Sequence, residues 1–176
     1  VYKEGAYKTT LLEAEKSHNI LGISESIFLN FPATTLVHVP VHEISKLIQQ
    51  VINDVCPAVV LIPYPDRHPA HKVVFELSLV ATRPYRQGNK ISLVAAYETI
   101  SSTHWNASHI EPNFSPTWVV DITDYIEKKI SAYLCYESQY TPFPGPRSEE
   151  AARSLAIFRG SQSGFASGEA FHIVRM

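Results

Sequence analysis

At 176 residues the chain is long enough for one domain with a real core and too short to expect two. Its composition is ordinarily globular, 45% apolar and 18% charged. Fifteen basic against seventeen acidic side chains leave a formal charge of −2 and no like-charge run, which argues against nucleic acid or an anionic membrane as the main partner.

In chain order, Tyr7 to Ile20 reads as a helix, with Leu11, Leu12, Ala14 and Ile20 as its inner face. Gly22, within Leu21-Gly22-Ile23, stands where a helix C-terminal cap is wanted. Ser26 to Phe31 is a short apolar strand candidate. Ile44, Leu47, Ile48, Val51 and Ile52 recur at three-and-four spacing, the mark of an amphipathic helix that Pro57 closes. Ala58 to Ile62 follows as a continuous apolar strand, and continuous apolarity predicts burial on both faces, as in parallel sheets. After a polar, proline-rich loop from Pro63 to Pro69, Ala70 to Thr82 is helical. Ile91 to Tyr97 and Trp118 to Ile122 are further strands. Asp124 to Tyr136 is a helix with Thr123 as N-cap, and Ser148 opens another with Glu149 and Glu150 in its first turn. Ala170 to Arg175 is the last strand.

Alternating helices and apolar strands predict an α/β fold with crossover connections and a mostly parallel sheet covered by helices on both sides. In such sheets ligands bind beyond the carboxyl ends of the strands. No GxGxxG or P-loop pattern occurs, so a dinucleotide or nucleoside triphosphate has little support. The longest apolar runs are a handful of residues, so no bilayer span is expected. Cys56 and Cys135 form no disulfide framework and no CxxC, so they are expected to be buried free thiols in a reducing, cytoplasmic setting.

The strand Ala58 to Ile62 runs directly into Tyr64-Pro65-Asp66-Arg67-His68-Pro69-Ala70-His71, the densest polar chemistry in the sequence. Imidazole is a common zinc ligand and, near neutral pKa, an acid or base. Pro69 fixes the backbone between the two histidines, so their rings are expected to be aimed differently. The bland alternative is a pair of solvent-facing loop histidines. His18, His38, His42, His104, His109 and His172 show no partner pattern and read as surface or satisfied residues.

Asp66-Arg67-His68-Pro69-Ala70-His71 resembles the DxHPDH motif of the PIG-L or LmbE-like zinc-dependent N-acetylglucosaminyl de-N-acetylases. Further pieces resemble that family in the same order. These are Glu13 through Leu21-Gly22-Ile23, Phe28 to Pro32, Tyr97-Glu98-Thr99-Ile100-Ser101-Ser102-Thr103-His104-Trp105, Val120-Asp121-Ile122, Tyr136-Glu137-Ser138-Gln139 and Gly168-Glu169-Ala170-Phe171. The resemblance implies a Rossmann-like, three-layer α/β/α domain over residues 1–176 that hydrolyses an N-acetyl group on a sugar conjugate with one zinc ion. It implies His71 as a zinc ligand and His68 as the group that stabilises the tetrahedral intermediate or protonates the leaving amine. Asp66 would orient a histidine or the substrate, Trp105 would stack on a sugar face and Glu98 would accept a sugar hydroxyl. A core aromatic and a solvated carboxylate are the alternatives for these last two.

The family's first motif, of AHPDDE type, has no counterpart, and the chain begins near the helix that should follow it. The expectation is therefore a domain incomplete at its N-terminus, lacking the first strand or strands, two zinc ligands and the catalytic base. Ala70 replaces the aspartate of HPDH, and Ala33 stands where many relatives carry another. Three readings follow: an enzyme whose remaining ligands come from further sequence or another protomer, a degenerate homologue serving in binding or assembly, and an unrelated α/β binding protein.

Overall fold

The computed structural model describes residues 4–105, 107 and 113–176. In chain order the elements are α1 (Glu4–Leu21), α2 (Val41–Val55), β1 (Val59–Pro63), α3 (Pro69–Ala81), β2 (Leu93–Tyr97), β3 (Trp118–Asp121), α4 (Ile126–Leu134), α5 (Glu149–Ser161) and β4 (Gly168–Arg175). The sheet runs β1-β2-β4-β3. The architecture is α/β, as the alternation predicts. The chain divides into two compact units, one of residues 1–28 and 119–169, the other of residues 29–118 and 170–176.

In the second unit, β1 and β2 pair in parallel with Val59 opposite Leu93 and Pro63 opposite Tyr97. Residues 171–175 of β4 pair antiparallel with β2. Beside them, Thr117 N–H donates to the Phe171 carbonyl at 2.9 Å. The apolar stripe of α2 packs on α3, and both cover one face of the sheet. Ile52, Ile62, Ala81, Ile91, Val94 and Ala96 form one buried cluster there, while Leu36, Ile44, Ala70 and Leu77 form another.

Burial of β1 on both faces is not what the structure has. Val60 and Ile62 meet the helices, but Val59 and Leu61, which alternate with them, are 49% and 46% exposed. Side chains alternate along the strand, so among the described residues the helices cover only the Val60 and Ile62 face of β1. Residues 26–31 form no strand, and no strand among the described residues pairs with them. Cys56 is exposed rather than buried: it sits at φ 49° as the left-handed cap of α2, just before Pro57.

The C-terminal strand is tied to the second unit by Arg175. Its guanidinium donates to the carbonyls of Thr82 (2.9 Å), Ile91 (3.2 Å) and Gly88 (3.3 Å). These carbonyls lie past the end of α3 and in the turn leading to β2, where the Gly88 carbonyl also accepts the Ile91 amide at 3.3 Å. Gly88 is obligatory at that turn, since a Cβ there would lie 1.8 Å from the Arg83 carbonyl oxygen.

In the first unit, α4 packs on α1 and on α5. Gly22 takes φ 78°, and the amides of Gly22 and Ile23 return to the His18 carbonyl at 2.9 and 3.0 Å, ending α1 as the sequence predicts. The buried Glu13 carboxylate accepts the Ser138 amide (2.7 Å) and hydroxyl (2.6 Å), which joins the helix to the Tyr136–Gln139 segment. Ser148 caps α5 by accepting the Ala151 amide at 3.1 Å. Thr123 does not cap α4: the Asp121 carboxylate captures its amide and hydroxyl at 2.9 and 2.6 Å, and a 3-10 turn precedes the helix.

Arg175→Met keeps the aliphatic stem and removes every donor. It is expected to lower unfolding free energy in urea by about 2 kcal/mol, the scale of hydrogen bonds from a charged group to buried carbonyls. A change below about 0.5 kcal/mol would show that the three carbonyls are satisfied without it.

Candidate active site

The sheet brings two loops together at the carboxyl ends of its parallel strands. Pro63 and Tyr97 are register partners, and the Tyr64 amide donates to the Tyr97 carbonyl at 2.9 Å. The loop after β1 therefore starts beside the loop after β2, in the position where α/β sheets place their ligands.

Asp66 is the hinge between the two loops, with its side chain only 1% exposed. Its Oδ1 accepts the His68 amide and the His71 Nδ1–H, each at 2.9 Å. The first of these closes an Asx turn into the start of α3. Its Oδ2 accepts the hydroxyls of Ser102 (2.8 Å) and Thr103 (2.9 Å). Thr103 is fixed in turn, since its Oγ1 takes the Thr99 amide at 2.7 Å while its own amide donates to the Thr99 carbonyl at 2.8 Å. Burial pushes the Asp66 carboxyl up, but the His68 amide, the two hydroxyls and the adjacent His71 outweigh it and hold the group below its ordinary value. Burial, followed by the charge on Asp66, raises the Tyr64 and Tyr97 phenols.

His68 is the N-cap residue of α3 and Pro69 its first helical residue, a position that suits proline because no amide partner is needed there. The helix start puts His68 and His71 three residues apart on one side, and their rings stack with centroids 4.6 Å apart at 25°. The expectation of differently aimed rings is thus corrected: Pro69 begins a helical turn rather than diverging the side chains. With Nδ1 donating to Asp66, the His71 tautomer leaves Nε2 with a free lone pair, the arrangement that carboxylate-bound histidines use toward metals. Ala70 belongs to the apolar cluster with Leu36, Ile44 and Leu77, and the carboxylate that engages His71 is Asp66.

Glu98 and Trp105 stand on the same β2 loop. Glu98 is no solvated carboxylate: its side chain is 6% exposed and its Oε2 lies 2.8 Å from His104 Nε2. Trp105 is no core aromatic, being 76% exposed. Among the histidines read as incidental, His18 Nδ1 meets the Ser26 hydroxyl at 2.6 Å, His172 Nδ1 meets the Ser115 carbonyl at 2.8 Å, and His104 has Glu98. His109 lies outside the described residues. Ser102 and Thr103 carry a role that the sequence did not assign them, although they fall inside the Tyr97–Trp105 match.

Residues 3–82 match the PIG-L family, GlcNAc-PI de-N-acetylase. The chain is 28% identical over 172 residues to a diacetylchitobiose deacetylase of Thermococcus kodakarensis, covering 93% of this chain and 62% of that protein. The similarity to the PIG-L de-N-acetylases thus covers residues 3–82, and that to the diacetylchitobiose deacetylase nearly the whole chain. The chain spans less than two thirds of the length of that curated relative. Among solved structures, a conserved protein of Thermus thermophilus superposes with TM-score 0.74 at 26% identity, over 97% of this chain and 75% of that one. The N,N'-diacetylchitobiose deacetylase of Pyrococcus horikoshii shares the fold with TM-score 0.73 at 24% identity, over 99% of this chain and 68% of that one. A 4-carboxy-2-hydroxymuconate hydratase of Pseudomonas putida shares it with TM-score 0.75 at 19% identity, covering 98% and 73%.

A catalytic zinc site in a hydrolase needs three protein ligands. Among the described residues, no group of three or more His, Cys, Asp or Glu side chains is placed to hold a metal. His71 offers one ligand position and the described residues do not complete the set. Also among them, no helix is long and apolar enough to cross a membrane.

Removing the Asp66 carboxylate strands four donors. Asp66→Ala is expected to cost at least about 3 kcal/mol, since buried unmet donors cost about 1–3 kcal/mol each. Because its folded pKa is depressed, Asp66 contributes stability in full above the unfolded value of about 4, and that contribution is lost as pH falls through the lower folded value. Asp66→Asn should therefore flatten the acid limb of a stability–pH curve below about pH 4. An unchanged limb would show that Asp66 is not ionised in the folded chain.

Proposed function

We propose that this chain carries the distal half of an N-deacetylase site, acting on an N-acetylglucosamine-type sugar conjugate when polypeptide beyond the described residues supplies the remaining metal ligands. The observation that carries this reading is the Asp66–His71 pair at the carboxyl end of β1, with His68 stacked beside it. The similarity to a diacetylchitobiose deacetylase supports the reaction class.

Amide hydrolysis adds water to the acetyl carbonyl, then breaks the carbon–nitrogen bond to give acetate and a free amine. The amine must take up a proton as it leaves. His68 is assigned to that proton, or to the oxyanion that precedes it, because its ring stands against the face of the one His71 presents. His71 is assigned to one metal position through Nε2, and Asp66 to holding its ring and tautomer. The zinc would supply Lewis acidity and an activated water. Since the described residues do not hold it alone, no step is assigned through it.

A second reading, a catalytically silent homologue that binds or assembles, is favoured by the lack of a three-ligand cluster among the described residues. The fold alone does not choose, since it also serves the hydratase of Pseudomonas putida.

Zinc content and acetate release from N,N'-diacetylchitobiose separate the two. Under the deacetylase reading the protein holds about one zinc, as catalytic sites of this kind do, and His71→Ala loses it. His68→Ala keeps the metal and loses turnover by about 100-fold or more, the scale of general acid catalysis. Full zinc retention in His71→Ala would remove the ligand assignment. Absence of both zinc and acetate release in the unaltered protein would leave the binding reading.

A further inference from the structure

We infer that a cavity between α1 and α4 binds a small aromatic carboxylate, with Lys128 as the group that holds its charge. The cavity has a volume of about 600 Å³, inside the range of roughly 300–1,000 Å³ usual for small-molecule sites. All of its lining residues belong to the first unit, and none belongs to the Asp66 group. Binding there is therefore independent of the deacetylase reading.

One helix face builds most of the wall. Tyr125, Lys128, Lys129, Ala132, Tyr133 and Tyr136 all line the cavity, at three-and-four spacing along α4 and its two flanks. Ser17, His18 and Leu21 face it from the last turns of α1. Ser17, Ile122 and Ala132 are buried, whereas Leu21, Ile23 and Tyr125 are 43%, 44% and 63% exposed. The lining runs from a buried floor to an apolar and aromatic mouth.

Charge selects the ligand class. Two ammonium groups and one carboxylate line the cavity, and Lys129 is paired with that carboxylate, Glu169. Lys128 has no ion-pair partner among the described residues, so one positive charge is left uncompensated. A monoanion matches it, while a dianion would bring one charge too many.

The remaining polar groups are occupied or neutral. His18 Nδ1 meets the Ser26 hydroxyl at 2.6 Å, and the Tyr136 hydroxyl is bonded to Ser17. Burial, the largest influence on each, raises the Tyr133 and Tyr136 phenols, so both stay neutral at ordinary pH. They present ring faces and edges, which favour offset or edge-to-face aromatic partners. An aromatic body with one carboxylate suits both the rings and the lone ammonium. A sugar suits them less, because its hydroxyls would meet Leu21, Ile23, Ile122 and Ala132.

Isothermal titration calorimetry of the unaltered chain with naphthoate tests the site, at about pH 7.5 where the probe is ionised. Saturable binding is expected. Lys128→Gln should weaken it about tenfold, the scale of one charge-assisted hydrogen bond. Ile23→Glu, which sets a carboxylate at the exposed mouth, should weaken it at least as much. Naphthamide, the neutral isostere, should bind the unaltered chain about tenfold less tightly than naphthoate. Lys46→Gln, on α2 and outside the lining, should keep the parent affinity. Thermal unfolding midpoints within about 2 °C of the parent keep a folding defect from imitating the losses. Absence of saturable naphthoate binding overturns the inference, and so does equal affinity in Lys128→Gln or for naphthamide. Affinity that falls as protein concentration rises would put a second copy of the chain in the cavity and overturn it as well.

Discussion

The buried Asp66 carboxylate is the constraint on which the candidate site depends. Two oxygens satisfy four donors, from the His68 backbone, the His71 ring and the Ser102 and Thr103 side chains. A lone carboxylate would not remain ionised with its side chain 1% exposed. Here the donors offset its desolvation and leave it below its ordinary pKa. The same contacts start α3, set the His71 tautomer and draw the β2 loop onto the β1 loop. Local folding, loop docking and site chemistry therefore share one group.

Much of the framework was legible because it is local. The three-and-four spacing of Ile44, Leu47, Ile48, Val51 and Ile52 describes α2, and Gly22 ends α1 at the positive φ that glycine favours. Ser148 caps α5 through its own hydroxyl. These features are set within a few residues, where periodicity and side-chain chemistry act directly. Neighbours in space were less legible. Apolar continuity from Ala58 to Ile62 does not say which face a helix covers, and Val59 and Leu61 turn out exposed. Residues 26–31 have strand composition but pair with no strand among the described residues. Thr123 looks like a cap, yet Asp121, two residues earlier, competes for its amide and hydroxyl.

The site divides in the same way. Asp66, His68 and His71 sit within one motif and come together as sequence neighbours must at a helix start. Ser102 and Thr103 reach Asp66 across 36 and 37 residues, a contact that no spacing rule predicts. The Glu98–His104 pair crosses a turn whose closure rests on Thr99 and Thr103. The chain is similar to de-N-acetylases, while the ligand set is incomplete among the described residues. Reaction class and metal completeness are thus separate questions for this chain.

Long-range nitrogen–proton correlation NMR of the histidine side chains tests the central claim most directly, because it reads which ring nitrogen of His71 carries the proton. The account predicts a neutral Nδ1–H tautomer for His71 at mildly alkaline pH, with Nε2 unprotonated, and loss of that preference in Asp66→Ala. An Nε2–H tautomer in the unaltered protein would contradict it, since Asp66 would then not hold the ring and Nε2 would have no lone pair to offer a metal.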